Sequence, residues 1–150
     1  MTDECEWDAE LAEAARGAMG HAYAPYSRFA VGAAVRLADG RIITGANFEN
    51  ASYGLSLCAE TVAIAATNAA GDLSNVRAIA LIGGPMEPPA QEDPSPITPC
   101  GRCRQVIAEA AMLAGRDIKV YCASLSGTQQ AVYTISELLP HAFSAADFSA

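Results

Sequence analysis

Hydrophobic residues recur at three- and four-residue spacings over residues 8–23 and predict an amphipathic helix there. Two apolar runs follow at 30–37 and 42–45, and the Asp39-Gly40 pair between them is typical of a tight hairpin. Helix-forming residues return over 58–70. The predicted buried face of the first helix is Leu11, Ala15, Ala18, Met19 and Ala22, and that of the second is Val62, Ala65, Ala66 and Ala69.

In the second half, residues 76–82 are typical of a buried strand that stops at Gly83, and the polar, proline-rich segment 83–97 is predicted to be a surface loop. A third helix is predicted over 100–114 and ends at Gly115. Its apolar positions are Val106, Ile107, Ala110, Met112 and Leu113, and the elements predicted after it are strands at 118–122 and 131–134 and a short helix at 135–139.

This alternation of strands and helices predicts an α/β fold, a three-layer α-β-α sandwich with one mixed sheet of about five strands. The length of 150 residues and the hydrophobic content of 51% suit one core, so we expect a single domain over 1–150. Residues 1–7 are expected to be a mobile N-terminus, and 144–150 a C-terminal tail.

The formal charge of −8 disfavours binding to phosphate backbones, so small neutral substrates are expected and nucleic acid is not. No apolar run has the length of a membrane span, and the N-terminus is acidic, so neither a membrane segment nor a secretory leader is expected. The five cysteines are unevenly spaced, unlike a secreted disulfide framework, which favours a reducing cytoplasm.

Three of the cysteines suggest a metal site. Cys100 and Cys103 share one face at the start of a predicted helix, and Cys58 begins another, where free amides and the helix dipole favour thiolates. Three thiolates predict a Zn²⁺ ion with its fourth position left for water, as in catalytic zinc sites. Cys5 or Cys122 could close that position, but lone cysteines in such places are usually inert.

Glu60 lies two residues after Cys58, and positions two apart on a helix face different ways, so it is not expected to be a ligand. A carboxylate beside the metal could accept a proton from water, protonate ring N3 of cytosine and then protonate the departing amine. The alternative is a solvated glutamate that the helix dipole favours. The proximity to Cys58 favours the catalytic interpretation.

Five segments in order, from about residue 24 to 143, resemble the small homotetrameric cytidine deaminases. They are Pro25-Tyr26-Ser27 with Phe29 and Val31-Gly32-Ala33-Ala34; Asn47-Phe48-Glu49-Asn50-Ala51-Ser52-Tyr53-Gly54; Cys58-Ala59-Glu60; Pro99-Cys100-Gly101-Arg102-Cys103-Arg104-Gln105; and Glu137-Leu138-Leu139-Pro140. The resemblance implies zinc-dependent hydrolytic deamination of cytidine and 2'-deoxycytidine in pyrimidine salvage. It places the zinc ligands on Cys58, Cys100 and Cys103, and the proton shuttle on Glu60.

The resemblance also implies how a nucleoside is held. Asn47 and Glu49 would bind the ribose 3'-hydroxyl, so both cytidine and deoxycytidine are expected as substrates. The backbone of Ala59 would contact the base and Phe29 would stack on it, although an aromatic residue beside a strand is also typical of a core. Two further aromatics would line the pocket of a neighbouring subunit, in a homotetramer with shared active sites: Tyr53 and Phe143.

One position departs from the pattern. Many relatives carry an arginine directly after the catalytic glutamate, where it hydrogen-bonds cysteine sulfurs, and here that residue is Thr61. Three thiolates on one Zn²⁺ leave a net negative charge that weakens its action on water. Arg102 is our hypothesis for the replacement, and the alternative is an exposed arginine without a role. The segment 83–97 is a second departure, for which the sequence suggests no function.

The alternative functions each leave part of the sequence unexplained. A deaminase of a modified cytidine, or of a nucleoside antibiotic of the blasticidin S type, suits Thr61 and Arg102, whereas the segment 47–51 favours cytidine. A nucleic-acid deaminase needs a cationic groove that this acidic chain lacks in sequence. A non-catalytic zinc module needs no Glu60, and a redox Cys-x-x-Cys motif does not explain Cys58.

Overall fold

A computed structural model describes residues 6–87 and 95–148 of the chain. Within those residues five strands form one sheet in the order β2-β1-β3-β4-β5. The strands are β1 (Phe29–Leu37), β2 (Ile42–Ala46), β3 (Val76–Pro85), β4 (Lys119–Ala123) and β5 (Gln130–Thr134). Only β3 and β4 are parallel, and the other neighbours are antiparallel. The prediction of one mixed, five-stranded sheet is therefore confirmed.

Helices cover both faces of the sheet. The helices of the described residues are α1 (Ala9–Met19), α2 (Ala59–Ala69), α3 (Gly101–Ala114) and the short α4 (Ile135–Leu138). Leu11 and Ala15 of α1 pack on one face, against Ala34 and Tyr121. The larger core lies on the other face, where α2 and α3 cover the sheet with Ala63, Ile64, Ile107 and Ala110. These two cores confirm the three-layer α-β-α sandwich.

Two glycines allow the helices to approach the sheet closely. A Cβ at Gly32 would lie 1.9 Å from the carbonyl oxygen of Ala15 in α1. A Cβ at Gly45 would lie 2.5 Å from the backbone nitrogen of Ala63 in α2. Both contacts are with backbone atoms, which cannot move aside as a flexible side chain can, so these positions require glycine. The second contact brings the first turn of α2 against the end of β2.

The first helix is shorter than predicted. It ends at Met19 instead of about Tyr23, because Tyr23 pairs with the chain beyond β2: its backbone N–H donates to the carbonyl of Asn47. The predicted hairpin between β1 and β2 is confirmed, with Gly40 at φ +92° in its turn. The prediction for α3 is also confirmed, and Gly115 ends it at φ +66°.

The predicted buried face of α2 is wrong. Its buried residues are Ala59, Glu60, Ala63, Ile64 and Thr67, whereas Ala65 and Ala69 are exposed and Val62 and Ala66 are half-buried. An alanine-rich helix has small apolar residues on several faces, so its periodicity selects no single one, and the close contact with Gly45 decides the orientation. Of the apolar positions in α3, Ile107 and Ala110 are buried, whereas Met112 and Leu113 are exposed.

Strand β3 continues past the predicted stop at Gly83. Gly83, Gly84 and Pro85 pair with Val31, Ala30 and Phe29, because β1 offers an extended partner over its whole length. A Cβ at Gly83 would lie 2.8 Å from the carbonyl of Ala30, so this glycine serves close packing within the sheet, where the sequence suggested a turn. Of the predicted loop 83–97, residues 88–94 lie outside the described part of the chain.

The ends of the described chain carry aromatic contacts. Trp7, within the segment expected to be mobile, packs edge-on against Tyr121 at 5.6 Å between ring centroids, while residues 1–5 lie outside the described range. Near the other end, Ala145–Phe148 form a single 3-10 turn, and Phe148 packs against Phe143. No helix in the described residues has the length and apolarity needed to cross a bilayer.

Candidate metal and catalytic site

The structure brings together the three cysteines that their spacing suggested. Cys58 is the residue that precedes α2 as its N-cap, Cys100 has the same place before α3, and Cys103 lies in the first turn of α3. Their Sγ atoms all lie within 4.8 Å of one another, and those of Cys58 and Cys100 are 3.7 Å apart. Two helix N-termini on the same side of the sheet thus converge on one point.

The electrostatics of the cluster favour ionised sulfur. The first turn of each helix has amide N–H groups without intrahelical partners, and the helix dipole adds positive potential there. Hydrogen bonds from Cys103 and Cys100, together with the Arg102 guanidinium, lower the pKa of Cys58 to about 5 against the effect of its burial. The same bond to Cys58, together with burial, raises the pKa of Cys103.

The donor set fits Zn²⁺. Three thiols at these separations can converge on one ion, and soft thiolates favour zinc over hard cations such as Mg²⁺. In the described residues, no other histidine, cysteine or carboxylate joins the group. Cys122 is buried in β4, where burial raises its pKa to about 12, and Cys5 lies outside the described residues. Two of the three cysteines, Cys58 and Cys100, also line a cavity.

Glu60 is the second residue of α2, and its side chain is only 4% exposed. Burial raises the pKa of this carboxyl, and the neighbouring Cys58 acts in the same direction, while a hydrogen bond with Cys103 opposes them. The interpretation of Glu60 as a solvated surface glutamate is therefore wrong. A buried carboxyl with a raised pKa that faces a cavity is suited to hold a proton and release it to a bound ligand.

The cavity has a volume of about 440 Å³, in the range of small-molecule sites. The start of β1, the chain beyond β2 and the start of α2 form its walls, and the segment before α3 completes them. Its lining residues are Ser27, Phe29, Val31, Asn47, Glu49, Ser56, Leu57, Cys58, Ala59, Glu60, Leu81, Ile97, Thr98 and Cys100. This set contains apolar walls, a few polar groups and two carboxylates, but neither lysine nor arginine.

Asn47 and Glu49 are held rigidly at the wall of the cavity. The Oδ1 of Asn47 accepts from the N–H of Val31 at 2.9 Å, and its Nδ2 donates to the carbonyl of Phe29 at 2.8 Å, which leaves one amide hydrogen for a ligand. The Oε2 of Glu49 accepts from the N–H groups of Tyr26 and Ser27, and the Ser27 hydroxyl donates to Oε1. That hydroxyl is the main cause of the lowered pKa of Glu49.

The aromatic residues that were predicted to contact a nucleoside differ in whether they line this cavity. Phe29 lines the cavity and is 37% exposed, so it is not a core residue. Ala59, the predicted contact to the base, is fully buried against the same cavity. Tyr53 and Phe143 are 73% and 57% exposed and do not line it. Tyr53 packs instead on Tyr26, which places it at the rim beside Glu49.

Arg102 has a partner in the structure. Its Nη2 donates to the carbonyl of Ser56 at 2.7 Å and so links the start of α3 to the chain just before Cys58. The guanidinium also lowers the pKa of Cys58. Arg102 is exposed, as the alternative expects, and the hypothesis that it supports the sulfur cluster stays a prediction.

Sequence reasoning missed two residues of the site, Thr61 and Arg104. Thr61 was considered only as the place of an absent arginine, yet its Oγ1 lies 3.3 Å from the Sγ of Cys103. The three-residue spacing from Cys58 could have indicated it, because such residues share a helix face. Arg104 was also missed: it donates to the carbonyls of Pro99 and Leu138 and to the hydroxyl of Thr98, and so holds the segment before Cys100 in place.

Residues 5–122 match the family model described as the cytidine and deoxycytidylate deaminase zinc-binding region. The chain is 48% identical over 128 residues to a cytidine deaminase of Halalkalibacterium halodurans, which covers 85% of this chain and 87% of the relative. It is 44% identical over 106 residues to a cytidine deaminase from Mycobacterium tuberculosis, and the alignment covers 71% of this chain and 72% of that relative. The structure aligns with the crystal structure of cytidine deaminase from Burkholderia pseudomallei at a TM-score of 0.77 and 41% identity, over 95% of this chain and 100% of that one.

Proposed function

The chain belongs to the cytidine and deoxycytidylate deaminase family, which comprises hydrolytic deaminases, and we propose that it converts cytidine and 2'-deoxycytidine to uridine and 2'-deoxyuridine with release of ammonia. One observation carries this proposal: three thiols within 4.8 Å of one another lie beside the buried carboxyl of Glu60, at a cavity large enough for a nucleoside. We infer pyrimidine salvage as the role that this reaction would serve.

Cys58, Cys100 and Cys103 would hold one Zn²⁺ ion. When bound, zinc supplies Lewis-acid chemistry that makes water a nucleophile near neutral pH. The chain contributes ionised sulfur at two helix N-termini, and the low pKa of Cys58 supports its readiness to bind metal. Arg102 contributes a fixed positive charge and holds the backbone of Ser56 next to that ligand.

Glu60 would move the protons of the reaction. Hydrolysis needs a base for the attacking water, an acid for ring N3, a base for the hydroxyl that the addition leaves on C4 and an acid for the leaving amine, and one carboxyl can serve all four in turn. Its burial keeps competing water away, and its raised pKa makes the protonated form more accessible than in a solvated glutamate. The carboxyl ends the cycle ionised, after the first proton of water has gone to ring N3 and the second has left with ammonia.

The cavity wall would bind the nucleoside. Asn47 has one amide hydrogen left to donate, and the ionised carboxylate of Glu49 has acceptor capacity left, so together they can bind a hydroxyl that both donates and accepts. Phe29 offers an aromatic face for the base. Ala59 begins α2, so its N–H has no intrahelical partner and can donate to the pyrimidine.

A nucleoside is favoured over a nucleotide because the cavity lining contains two carboxylates and no lysine or arginine. A 5'-phosphate would enter this field without a cation to neutralise it, and a juxtaposition of like charges costs several kcal/mol. The net charge of −8 on the whole chain also disfavours binding of a phosphorylated substrate. The family model covers deaminases of both kinds of substrate, and the lining supports the nucleoside.

A substrate panel tests this proposal. The zinc-loaded chain is mixed with cytidine, 2'-deoxycytidine or deoxycytidylate, and the loss of ultraviolet absorbance is followed. We expect turnover of both nucleosides and a kcat/KM for the nucleotide that is lower by a factor of about 100 or more, because of like-charge repulsion. Turnover of the nucleotide alone would contradict the substrate assignment. Turnover of a modified cytosine nucleoside without turnover of cytidine would favour the antibiotic-type alternative.

Changing Glu49 to glutamine is expected to raise KM for cytidine by a factor of about 10 to 100, with a smaller change in kcat. The change removes a charged acceptor, and hydrogen bonds to charged groups contribute about 1.5–3 kcal/mol. Steady-state kinetics measure the effect. Ser27→Ala removes only the hydroxyl that orients this carboxylate and should raise KM less. An unchanged KM in Glu49→Gln would argue against contact with the ribose.

We further infer that the active form is a homotetramer whose subunits share active sites. Tyr53 and Phe143 support this inference, because both are exposed aromatic residues that the chain does not use in its own cavity. Native mass spectrometry tests it, and a monomer with full cytidine turnover would contradict it.

A further inference from the structure

The hydroxyl of Thr61 lies 3.3 Å from the sulfur of Cys103, within hydrogen-bonding distance of sulfur. We propose that Thr61 is a positioning residue for the metal site: its hydroxyl donates a hydrogen bond to the Cys103 thiolate and is needed for tight zinc binding. This inference rests on the proposed function only in so far as Cys103 is a zinc ligand. It assigns a role to a residue of this chain that is neither a ligand nor a proton carrier.

Cys103 is the cysteine that most needs such a donor. It is fully buried, whereas Cys58 is half-buried and Cys100 is exposed, so water can solvate those two sulfurs but not the third. A buried anion without a hydrogen-bond donor is costly. The other side chains in contact with Cys103 are Cys58, which is itself a thiolate when it binds metal, and Glu60, whose ionised carboxylate accepts hydrogen bonds; neither of these anions can donate one. The Thr61 hydroxyl can donate.

The local backbone explains why the hydroxyl turns toward the sulfur. A threonine in a helix commonly bonds back to the carbonyl four residues earlier. For Thr61 that carbonyl belongs to Leu57, which precedes the N-cap Cys58, lies outside the helix and accepts the N–H of Phe48 at 2.9 Å. Thr67 in the same helix shows the ordinary behaviour, because its Oγ1 donates to the carbonyl of Ala63 at 2.8 Å. In the described structure, the hydroxyl of Thr61 has the Cys103 sulfur as its one hydrogen-bond partner.

A hydrogen bond at this sulfur changes the ligand set as a whole. Three thiolates around one Zn²⁺ carry a net charge near −1, and a donor at a sulfur draws off part of that charge and fixes the direction of its lone pairs. Loss of an outer partner of a metal ligand typically lowers metal affinity 10- to 100-fold. We expect a loss of about 10-fold for this neutral donor.

The test is a measurement of zinc affinity by competition with a chromophoric chelator, on the full chain and without substrate. Thr61→Val keeps the shape of the side chain and removes the hydroxyl, and should raise the Kd for zinc about 10-fold. Thr61→Ser keeps the hydroxyl and should restore the affinity of the parent. Thr67→Val is the matched control: it removes a hydroxyl from the same helix, away from the sulfurs, and should leave the Kd unchanged.

Substitution of Co²⁺ for zinc provides a spectroscopic signal that a purely structural change in the protein would not alter. In the Co²⁺-substituted chain, loss of the hydrogen bond should shift the sulfur-to-metal charge-transfer band to longer wavelength in Thr61→Val but not in Thr67→Val. Thr61→Ala, which also lacks the hydroxyl, should give the same two results if the valine variant does not fold. A zinc Kd and a cobalt band that match the parent in the folded variant would overturn the proposal.

The failure of this inference can be told apart from that of the proposed function. A parent chain that binds zinc tightly but leaves cytidine unchanged would refute the assigned reaction, and the comparison of Thr61 variants would still decide the role of the hydroxyl. An unaltered zinc affinity in Thr61→Val, in a chain that deaminates cytidine, would refute the role of Thr61 alone. A parent that binds no zinc would overturn both.

Discussion

Changing Glu60 to glutamine is expected to lower kcat for cytidine by a factor of about 10²–10⁴, the range for loss of a general acid-base group. The amide has the size of the carboxyl and can still bond to its neighbours, but it cannot carry a proton between water, ring and amine. Because Glu60 is not a zinc ligand in our proposal, the variant should keep about one zinc per chain. Absorbance kinetics and metal analysis on the same sample measure both quantities.

Glu109→Gln is the matched control for this change. Glu109 is exposed on α3, and its loss removes the same charge from the chain without altering the cavity, so kcat should equal that of the parent. If Glu60→Gln retained the activity of the parent, proton transfer would have to be assigned to another group. If it lost zinc together with activity, Glu60 would contribute to the metal site and not to proton transfer alone.

Changing Cys100 to serine is expected to abolish both tight zinc binding and turnover. A serine hydroxyl is not ionised near neutral pH and is a poor ligand for zinc, so two thiolates would remain where three are needed. Cys100 is exposed, so the change leaves the core packing intact. After dialysis against a chelator, zinc should fall from about one per chain to near zero in this variant and stay bound in the parent.

Cys122→Ala distinguishes loss of a ligand from loss of any cysteine. Cys122 is fully buried among the apolar residues of the sheet, and burial raises its pKa to about 12, so it behaves as a small hydrophobic residue. Its replacement should cost about 1–2 kcal/mol of stability and leave zinc and turnover in place. Tight zinc binding by the Cys100 variant, or its loss from the Cys122 variant, would contradict the assigned ligand set.

The elements that local signals specify were predictable. The Asp39-Gly40 pair indicated the β1–β2 hairpin, and Gly115 indicated the end of α3, because glycine alone adopts its positive φ without strain. Short apolar runs separated by helices indicated a mixed sheet between helical layers. Each of these predictions depends on the conformational preferences of a few neighbouring residues, so no knowledge of distant contacts was needed.

The predictions that failed depend on distant partners. The buried face of α2 is set by the close approach of Ala63 to Gly45, and the length of β3 is set by pairing of Gly83 with β1. In both cases small residues gave little local preference, and a contact more than fifteen positions away in sequence decided the outcome. The end of α1 follows the same rule, because Tyr23 pairs with the chain at Asn47.

Some features of the candidate site likewise follow from local sequence, and others depend on the tertiary structure. From the sequence alone it follows that Cys58 and Cys100 begin helices and that Cys103 shares a face with Cys100, because helix starts and three-residue spacings are local properties. Only the tertiary structure decided that the three sulfurs meet, that Glu60 is buried beside them and that the hydroxyl of Thr61 reaches Cys103. Distances between helices, burial and pKa depend on how α2 and α3 pack on the sheet, which is a property of the whole fold.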